Sequence, residues 1–308
     1  MTYDMIIIGG ASAGLTAGIY AGRKKLKTVI LAKQVGGQSL LTDTIENFPG
    51  FDQISGKELI SKMRAQAEKY DVEINEGVEV ESVEKQAAGD ERFSVKIKNG
   101  ETIEAKSIIL ATGKNPRRLG IPGEKEFENK GVSFCSICDA PLYGGKDVVI
   151  VGGGNSGLEA ATDLVKYANK VYVLEYNSKI RGDELTQEKL KQTGKVEFIT
   201  EAQVMEIGGG SFVEKISYKD LKTGEKKELS VGGVFVNIGW IAATGFVKDF
   251  VDLNEQGEII VEHKTMATSK DGVFAAGDAT DTKFKQCVIA AGEGAKAALS
   301  AYEYLMNK

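Results

Sequence analysis

The stretch FCSICDA at residues 134–140 sets two cysteines, Cys135 and Cys138, three positions apart, with an acid, Asp139, directly after the second. Thiols at this spacing can supply half of a zinc site, form a redox dithiol, or fill a core as small hydrophobes. Zinc takes about four ligands, and the sequence offers only Cys287 and a single histidine, His263, to complete a set. Chance burial does not account for an acid beside the second thiol just ahead of a glycine-rich loop. The redox dithiol is the leading reading. Thiol–disulfide exchange proceeds by thiolate attack, so Asp139 is placed to move the proton that nucleophile or leaving group must lose or gain.

Two glycine loops supply the elements around this pair. The apolar run at residues 5–8 meets GGASAG, with Gly9, Gly10, Ala11 and Gly14, and Ala13, Ala17 and Ala21 then recur at a helical spacing of four. The run at residues 148–151 meets GGGNSG, followed by Leu158, Ala161 and Val165 at helical spacing and a β-rich VYVL at 171–174. Strand, glycine turn and helix occur twice. In G-x-G-x-x-G the first glycine allows the bend, the second lets the backbone approach a pyrophosphate, and the third brings helix onto strand. The second loop is complete: Gly152, Gly154 and Gly157, with Asn155 and Ser156 between. Glu175 closes the next strand, where a carboxylate accepts hydrogen bonds from a ribose 2'-hydroxyl and repels a 2'-phosphate. NADH is therefore favoured over NADPH, with Lys179 and Arg181 nearby softening the preference. In the first loop Ala11 occupies the central place, one methyl group more than the pattern.

Composition bounds the rest. The chain has 308 residues, 42% apolar and 27% charged, which suits a soluble globular protein of two domains, and 37 glycines against 4 prolines suit close backbone approaches in a nucleotide-binding α/β fold. A net charge of -5 argues against a general affinity for nucleic acid. The opening MTYDMIIIGG has no basic leader, and no apolar run nears the roughly 18 residues of a membrane span. A cytoplasmic home without membrane attachment is expected, where a close cysteine pair is catalytic or metal-binding rather than a structural staple.

Hairpin signals follow each loop unit: Asn99-Gly100 and the KTGE at 222–225, each leading to an apolar strand ending in glycine, SIILATG at 107–113 and GVFVNIG at 233–239. Ser55 and Glu58 form a capping box ahead of a packing face of Leu59, Ile60, Met63, Ala67 and Tyr70. Near the C-terminus DGVFAAGDATD reads as a strand running into a glycine-acid turn, and a helix from about Cys287 carries Ala291, Ala295, Leu299 and Tyr302 on one side. This tail has no cofactor loop of its own and should return to complete the first domain. The expected fold is α/β, two doubly wound three-layer dinucleotide-binding domains, with 115–240 inserted between 1–114 and 241–308. A dithiol cannot take a hydride from nicotinamide directly in two clean electrons, and the first domain has room for an intermediary; a flavin fits.

With GGQ at 36–38, ENFPGF at 46–51, ATG at 111–113, CSICD, GGGNSG, and GVFAAGD followed by KQCVIAAGEGA, the sequence resembles low-molecular-weight, bacterial-type thioredoxin reductases over nearly its full length. The resemblance implies a homodimeric FAD enzyme whose FAD domain is interrupted by a nicotinamide domain carrying the C-x-x-C. It implies that Gly9, Gly10, Ala11, Gly14, Gly37, Gln38 and Asn47 line FAD, together with Thr112, Gly113, Gly277, Asp278, Lys285 and Gln286, Asp278 meeting the ribityl chain. Gly152, Gly154, Asn155, Ser156, Gly157, Glu175 and Arg181 would hold the nicotinamide dinucleotide. Cys138 would face the flavin, Cys135 would attack the protein substrate, and Asp139 would be the acid.

One segment departs from that pattern. Where NADPH-using members carry HRRxxxR, this chain has EYNSKIR, with Glu175, Tyr176 and Asn177 in place of the His-Arg-Arg and only Arg181 kept. Here the sequence is similar to the flavoprotein subunit of alkyl hydroperoxide reductase, an NADH user, as it is in GEIIVEHK and the C-terminal helix. That flavoprotein carries an N-terminal thioredoxin-like domain, whereas this sequence begins at its first strand, so electrons are expected to leave to a separate thioredoxin-like or glutaredoxin-like protein disulfide. The expected course is hydride transfer from NADH to FAD, reduction of the Cys135–Cys138 disulfide, and exchange with the partner, the inserted domain pivoting near 113–116 and 239–244. The alternatives are the reductase of a peroxide-reducing system serving a separate carrier, an NADH oxidase, and, more distantly, a non-catalytic redox sensor. Cys287 is expected as a buried small hydrophobe, His263 as solvated, and Arg117 and Arg118 as exposed linker residues.

Overall fold

The computed structural model describes residues 2–41, 44–86 and 92–308, the side chains of Leu41 and Cys138 excepted. The chain divides into two compact units, Met1–Asn115 with Ile241–Lys308, and Pro116–Trp240.

The first unit opens with β1 (Thr2–Gly10), α1 (Ser12–Arg23) and β2 (Thr28–Val35). Continuous apolar runs, rather than alternation, mark strands covered on both faces, and Met5, Ile6 and Ile7 of β1 are fully buried. Next come α2 (Gly56–Glu68), β3 (Glu73–Glu76), β4 (Val80–Lys85), β5 (Phe93–Ile97) and β6 (Thr102–Leu110). Ser55 caps α2, its Oγ accepting from the Glu58 N–H at 3.1 Å, and the helix buries Leu59, Ile60, Met63 and Ala67 of the predicted face, whereas Tyr70 lies past the helix end in a turn and is half-buried. The Asn99-Gly100 turn folds β6 back antiparallel on β5, Thr102 opposite Lys96.

The chain leaves through β7 (Lys114–Pro116) and enters the second unit: β8 (Val132–Ser133), α3 (Ser136–Asp139), β9 (Asp147–Val151), α4 (Asn155–Leu164), β10 (Lys170–Leu174), α5 (Glu184–Gln192) and β11 (Val196–Ile199). An antiparallel trio, β12 (Ala202–Gly209), β13 (Val213–Asp220) and β14 (Lys226–Ser230), precedes β15 (Gly233–Val236). The parallel sheet has the order β11-β10-β9-β15-β8. Successive side chains of a strand point to opposite faces, and β9 shows it. Val148 and Ile150 pack with Leu158, Ala161 and Leu164 of α4, whereas Val149 and Val151 pack with Ile207, Val213 and Ile216 of the antiparallel trio. Three layers result.

The return runs through β16 (Trp240–Ala242) to β17 (Val273–Ala275), which pairs with β6, and α6 (Cys287–Met306). The first unit's sheet has the order β3-β2-β1-β6-β5-β4, with β17 beside the end of β6. In each unit the glycine-loop strand is flanked by the next strand on one side and a late strand on the other: β1 by β2 and β6, β9 by β10 and β15. This reversal of strand order opens a crevice at the carboxyl ends, where such sheets bind nucleotides.

The buried face of α6 differs from the expected one. Gly294, Ala297, Ala298 and Ala301 are buried, while Leu299 is 38% exposed. The reason is backbone proximity: a Cβ on Gly294 would lie 2.1 Å from the Ala13 carbonyl oxygen of α1. Only the smallest side chains allow that crossing, so the small-residue stripe turns inward.

Candidate active site

The crevice of the first unit is a cleft of about 1200 Å³ between the loops that follow β1 and β6, the turn at Gly277-Asp278 and the start of α6. Gly9 holds φ +115°, and a Cβ there would meet the Ala111 carbonyl oxygen at 2.1 Å; a Cβ on Gly14 would meet the Gly9 oxygen at 1.8 Å. The second unit repeats both constraints. Gly152 holds φ +114° with its missing Cβ 2.3 Å from the Asn237 oxygen, and that of Gly157 lies 1.9 Å from the Gly152 oxygen. Glycine alone fits such positions. The central place differs: Gly154 has open space and φ -83°, and Ala11 adopts φ -101°. An alanine is therefore accommodated there without strain.

Neither Ala11 nor Gly154 caps its helix through a side chain, so the first N–H groups of α1 and α4 keep their capacity for phosphate. Thr112 Oγ1 on the first cleft and Asn237 Oδ1 on the second are buried with no hydrogen-bond partner among the described residues. A buried polar group left unpaired costs about 1–3 kcal/mol. These open valences, with the two glycine cradles, fit polar dinucleotide ligands.

The predicted FAD residues Gly9, Gly10, Ala11, Gly37, Gln38, Asn47, Thr112, Gly113, Gly277, Asp278, Lys285 and Gln286 all line the first cleft, and Gly14 stands behind Gly9. Asn47 Nδ2 donates to Gln286 Oε1 at 3.2 Å, and Gln38 Nε2 to the Lys114 carbonyl at 3.4 Å. Burial raises the Asp278 carboxyl above its usual range; Lys285 and Lys114 oppose the rise and Glu258 adds to it.

Several partners were not legible in the sequence. Glu258 Oε1 lies 3.3 Å from Lys114 Nζ and 3.1 Å from Lys285 Nζ. Burial pushes the Glu258 carboxyl up, but hydrogen bonds from Asn254 and Lys285 and the lysine charges outweigh it and leave it below the usual range. Glu293, 6% exposed, accepts from the Gly277 N–H at 2.8 Å and the Thr282 hydroxyl at 2.6 Å, fastening the turn that carries Asp278. An acid inside the small-residue run AAGEGA was the available signal for it; the Lys114–Glu258 contact, far apart in sequence, left none. Cys287 is a free, half-buried thiol on the cleft wall, its Sγ 2.8 Å from Ser12 Oγ, rather than a fully buried hydrophobe. His263 is exposed, as expected, 3.5 Å from Asp281. Arg118 is exposed but engaged, paired in two bonds with Glu128, and Arg117 lines the second cleft.

That second cleft, about 710 Å³, is lined by Gly152, Gly154, Asn155, Ser156, Glu175 and Arg181, with Gly157 packed behind Gly152. Glu175 is 7% exposed. Its carboxylate accepts from the Gly153 N–H at 2.8 Å, the Asn177 N–H at 2.9 Å and the Asn177 side-chain amide. Burial pushes its carboxyl up, yet these bonds and the nearby Arg181 hold it below the usual range. A charge at this strand end is thus built into the loop.

In the same unit Cys135 is disulfide-bonded. The Cys138 side chain lies outside the described residues. The Cys135 N–H donates to Ser133 Oγ at 3.0 Å, and the Asp139 N–H to the Cys135 carbonyl at 3.3 Å, fixing the turn. Tyr143 follows this turn; burial, and then the Asp139 charge, raise its phenol above the usual value.

The family model for pyridine nucleotide-disulphide oxidoreductases matches residues 3–294. The chain belongs to this family. A subunit of alkyl hydroperoxide reductase from Staphylococcus aureus is 42% identical over 99% of the chain, which spans 59% of that protein's length. Among solved structures, thioredoxin reductase of Lactococcus lactis superposes with a TM-score of 0.86 at 35% identity, covering 99% of this chain and 100% of that one. Thioredoxin reductase of T. acidophilum gives 0.82 at 40% identity, with 98% of each chain covered. Family membership makes the chain an oxidoreductase flavoenzyme, with FAD and a pyridine nucleotide as its cofactors. Among the described residues, no helix is long and apolar enough to cross a membrane.

Proposed function

We propose that this pyridine nucleotide-disulphide oxidoreductase passes electrons from NADH through FAD and the Cys135–Cys138 pair to the disulfide of a thioredoxin-like or glutaredoxin-like protein. The observation that carries the reading is the disulfide at Cys135, held in a short turn directly ahead of an intact nucleotide loop of the same unit. When bound, FAD supplies the two-electron carrier between nicotinamide and disulfide. The first cleft would hold it, with the α1 N–H groups toward its pyrophosphate and Asp278 and Thr112 as polar contacts. The second cleft would hold the nicotinamide dinucleotide, α4 toward the pyrophosphate and Glu175 toward the ribose.

NADH is the proposed donor because Glu175 is anchored and cannot turn away: a 2'-phosphate would meet a carboxylate fixed by three hydrogen bonds. Arg181 lines the same cleft and moderates that repulsion. In the exchange step Cys135 would attack the partner disulfide, and Asp139 would carry the proton.

A second reading, reductase of a peroxide-reducing system, is favoured by the likeness to the alkyl hydroperoxide reductase of Staphylococcus aureus. It uses the same relay and differs only in the acceptor. The test is turnover of the FAD-loaded protein with NADH and NADPH side by side, offering a thioredoxin-like, a glutaredoxin-like and a peroxiredoxin-type disulfide in turn. NADH-driven reduction of one of them, abolished in C135S, is expected; turnover surviving C135S would refute the relay.

A further inference from the structure

Between the two cysteines, Ser136 opens α3, and its hydroxyl donates to Asp163 Oδ2 of α4 at 3.0 Å. The Asp163 side chain is 26% exposed, and Lys166 Nζ, itself 61% exposed, lies 3.6 Å from its other oxygen. On the opposite side of Cys135 the backbone is held by Ser133, whose Oγ accepts the Cys135 N–H and whose hydroxyl reaches the Cys135 carbonyl at 3.2 Å. The cysteine turn is thus tied at two points, and one of the ties ends on a carboxylate.

We propose that Asp163, tied to the cysteine turn by Ser136, is a positioning residue whose charge makes the Cys135–Cys138 pair a stronger reductant. The inference rests on the disulfide-reductase reading above. Reduction breaks the S–S bond and adds an electron pair and two protons to give a dithiol, part of which loses one proton to solvent as thiol and thiolate, and the reduced form is favoured to the degree that this thiolate is stabilised. A fixed negative charge beside the turn disfavours a thiolate. It therefore shifts the equilibrium toward the disulfide and raises the pair's tendency to give its electrons away. Lys166, being exposed and on the far oxygen, offsets only part of that field.

The test equilibrates the FAD-loaded full chain, without oxygen, in graded ratios of dithiothreitol and its oxidised cyclic form, whose dithiol supplies the electron pair and protons. Free thiols are then trapped with a maleimide and counted by mass. D163N keeps an acceptor for the Ser136 hydroxyl but removes the charge; its equilibrium is expected to move toward the dithiol by about five- to tenfold, about 20–30 mV. S136A cuts the tether and keeps the charge, and should move it less. K166Q should move it the opposite way. Equal equilibria for wild type and D163N, or a K166Q shift in the same direction as D163N, would overturn the inference. A wild-type pair that does not interconvert in these buffers would instead overturn the disulfide-reductase reading itself.

Discussion

On the proposed function, the carboxylate of Glu175 would do two jobs with one charge. It accepts three hydrogen bonds from its own loop, and a carboxylate has about four acceptor sites, so one remains for a ribose hydroxyl. E175Q should weaken NADH binding by roughly tenfold or more, the scale of a charged hydrogen bond, and narrow the preference over NADPH; an unchanged KM ratio would contradict the assignment. Because its folded-state value is lowered, Glu175 stabilises the fold above the ordinary glutamate value of about 4.3, and that contribution is lost as pH falls through the folded value. Asp278 has the opposite sign. Its folded value is raised by burial, so above that value the ionised carboxylate costs stability. D278N should raise the melting temperature of the FAD-free protein at pH 7, a gain that fades as pH falls toward about 3.9, while weakening FAD binding. Calorimetry across pH, with a flavin titration alongside, checks both arms. Cys135, which is disulfide-bonded, and Glu175, which lines the second cleft, stood out as candidates because their types and spacing carry the signal. Glu258 and Lys114 did not, since their pairing exists only after the chain has folded.

At the scale of elements, the two glycine loops obey one geometry with unequal tolerance. G152A must carry a left-handed φ and drive a methyl group into the Asn237 carbonyl at 2.3 Å, a destabilisation of at least about 1–3 kcal/mol. G154A has open space and an ordinary φ, and should fold as well as wild type with at most a modest loss of NADH affinity. Denaturant melts of the two variants decide the point, and comparable destabilisation by both would contradict it. The same local logic explains where sequence reading held and where it slipped. Strand runs, the Ser55 cap and the Asn99-Gly100 turn are signals within a few residues, and they fell where expected. The inward face of α6 is set by its contact with α1, near Ala13, which periodicity within the helix does not encode. G294A should accordingly loosen the α1–α6 crossing and lower the melting temperature, whereas L299A, at an exposed position, should leave it nearly unchanged.

At the scale of the whole molecule, each unit carries a strand, glycine loop and helix with a cleft of its own, and the sequence shows this repetition because the loop chemistry leaves few alternatives. The second unit also bears the cysteine turn, and the two chain crossings pass through Gly113, φ +65°, and Gly239, φ +99°. The central claim is that one electron pair from NADH can rest on FAD and another on the sulfurs of Cys135 and Cys138. Anaerobic titration of the FAD-loaded protein with NADH, followed by flavin absorbance, tests it most directly. Complete bleaching should take about two equivalents of NADH per FAD in wild type and about one in C138S, because the disulfide accepts one electron pair of its own. Bleaching at about one equivalent in both proteins would show that the cysteines stand outside the circuit.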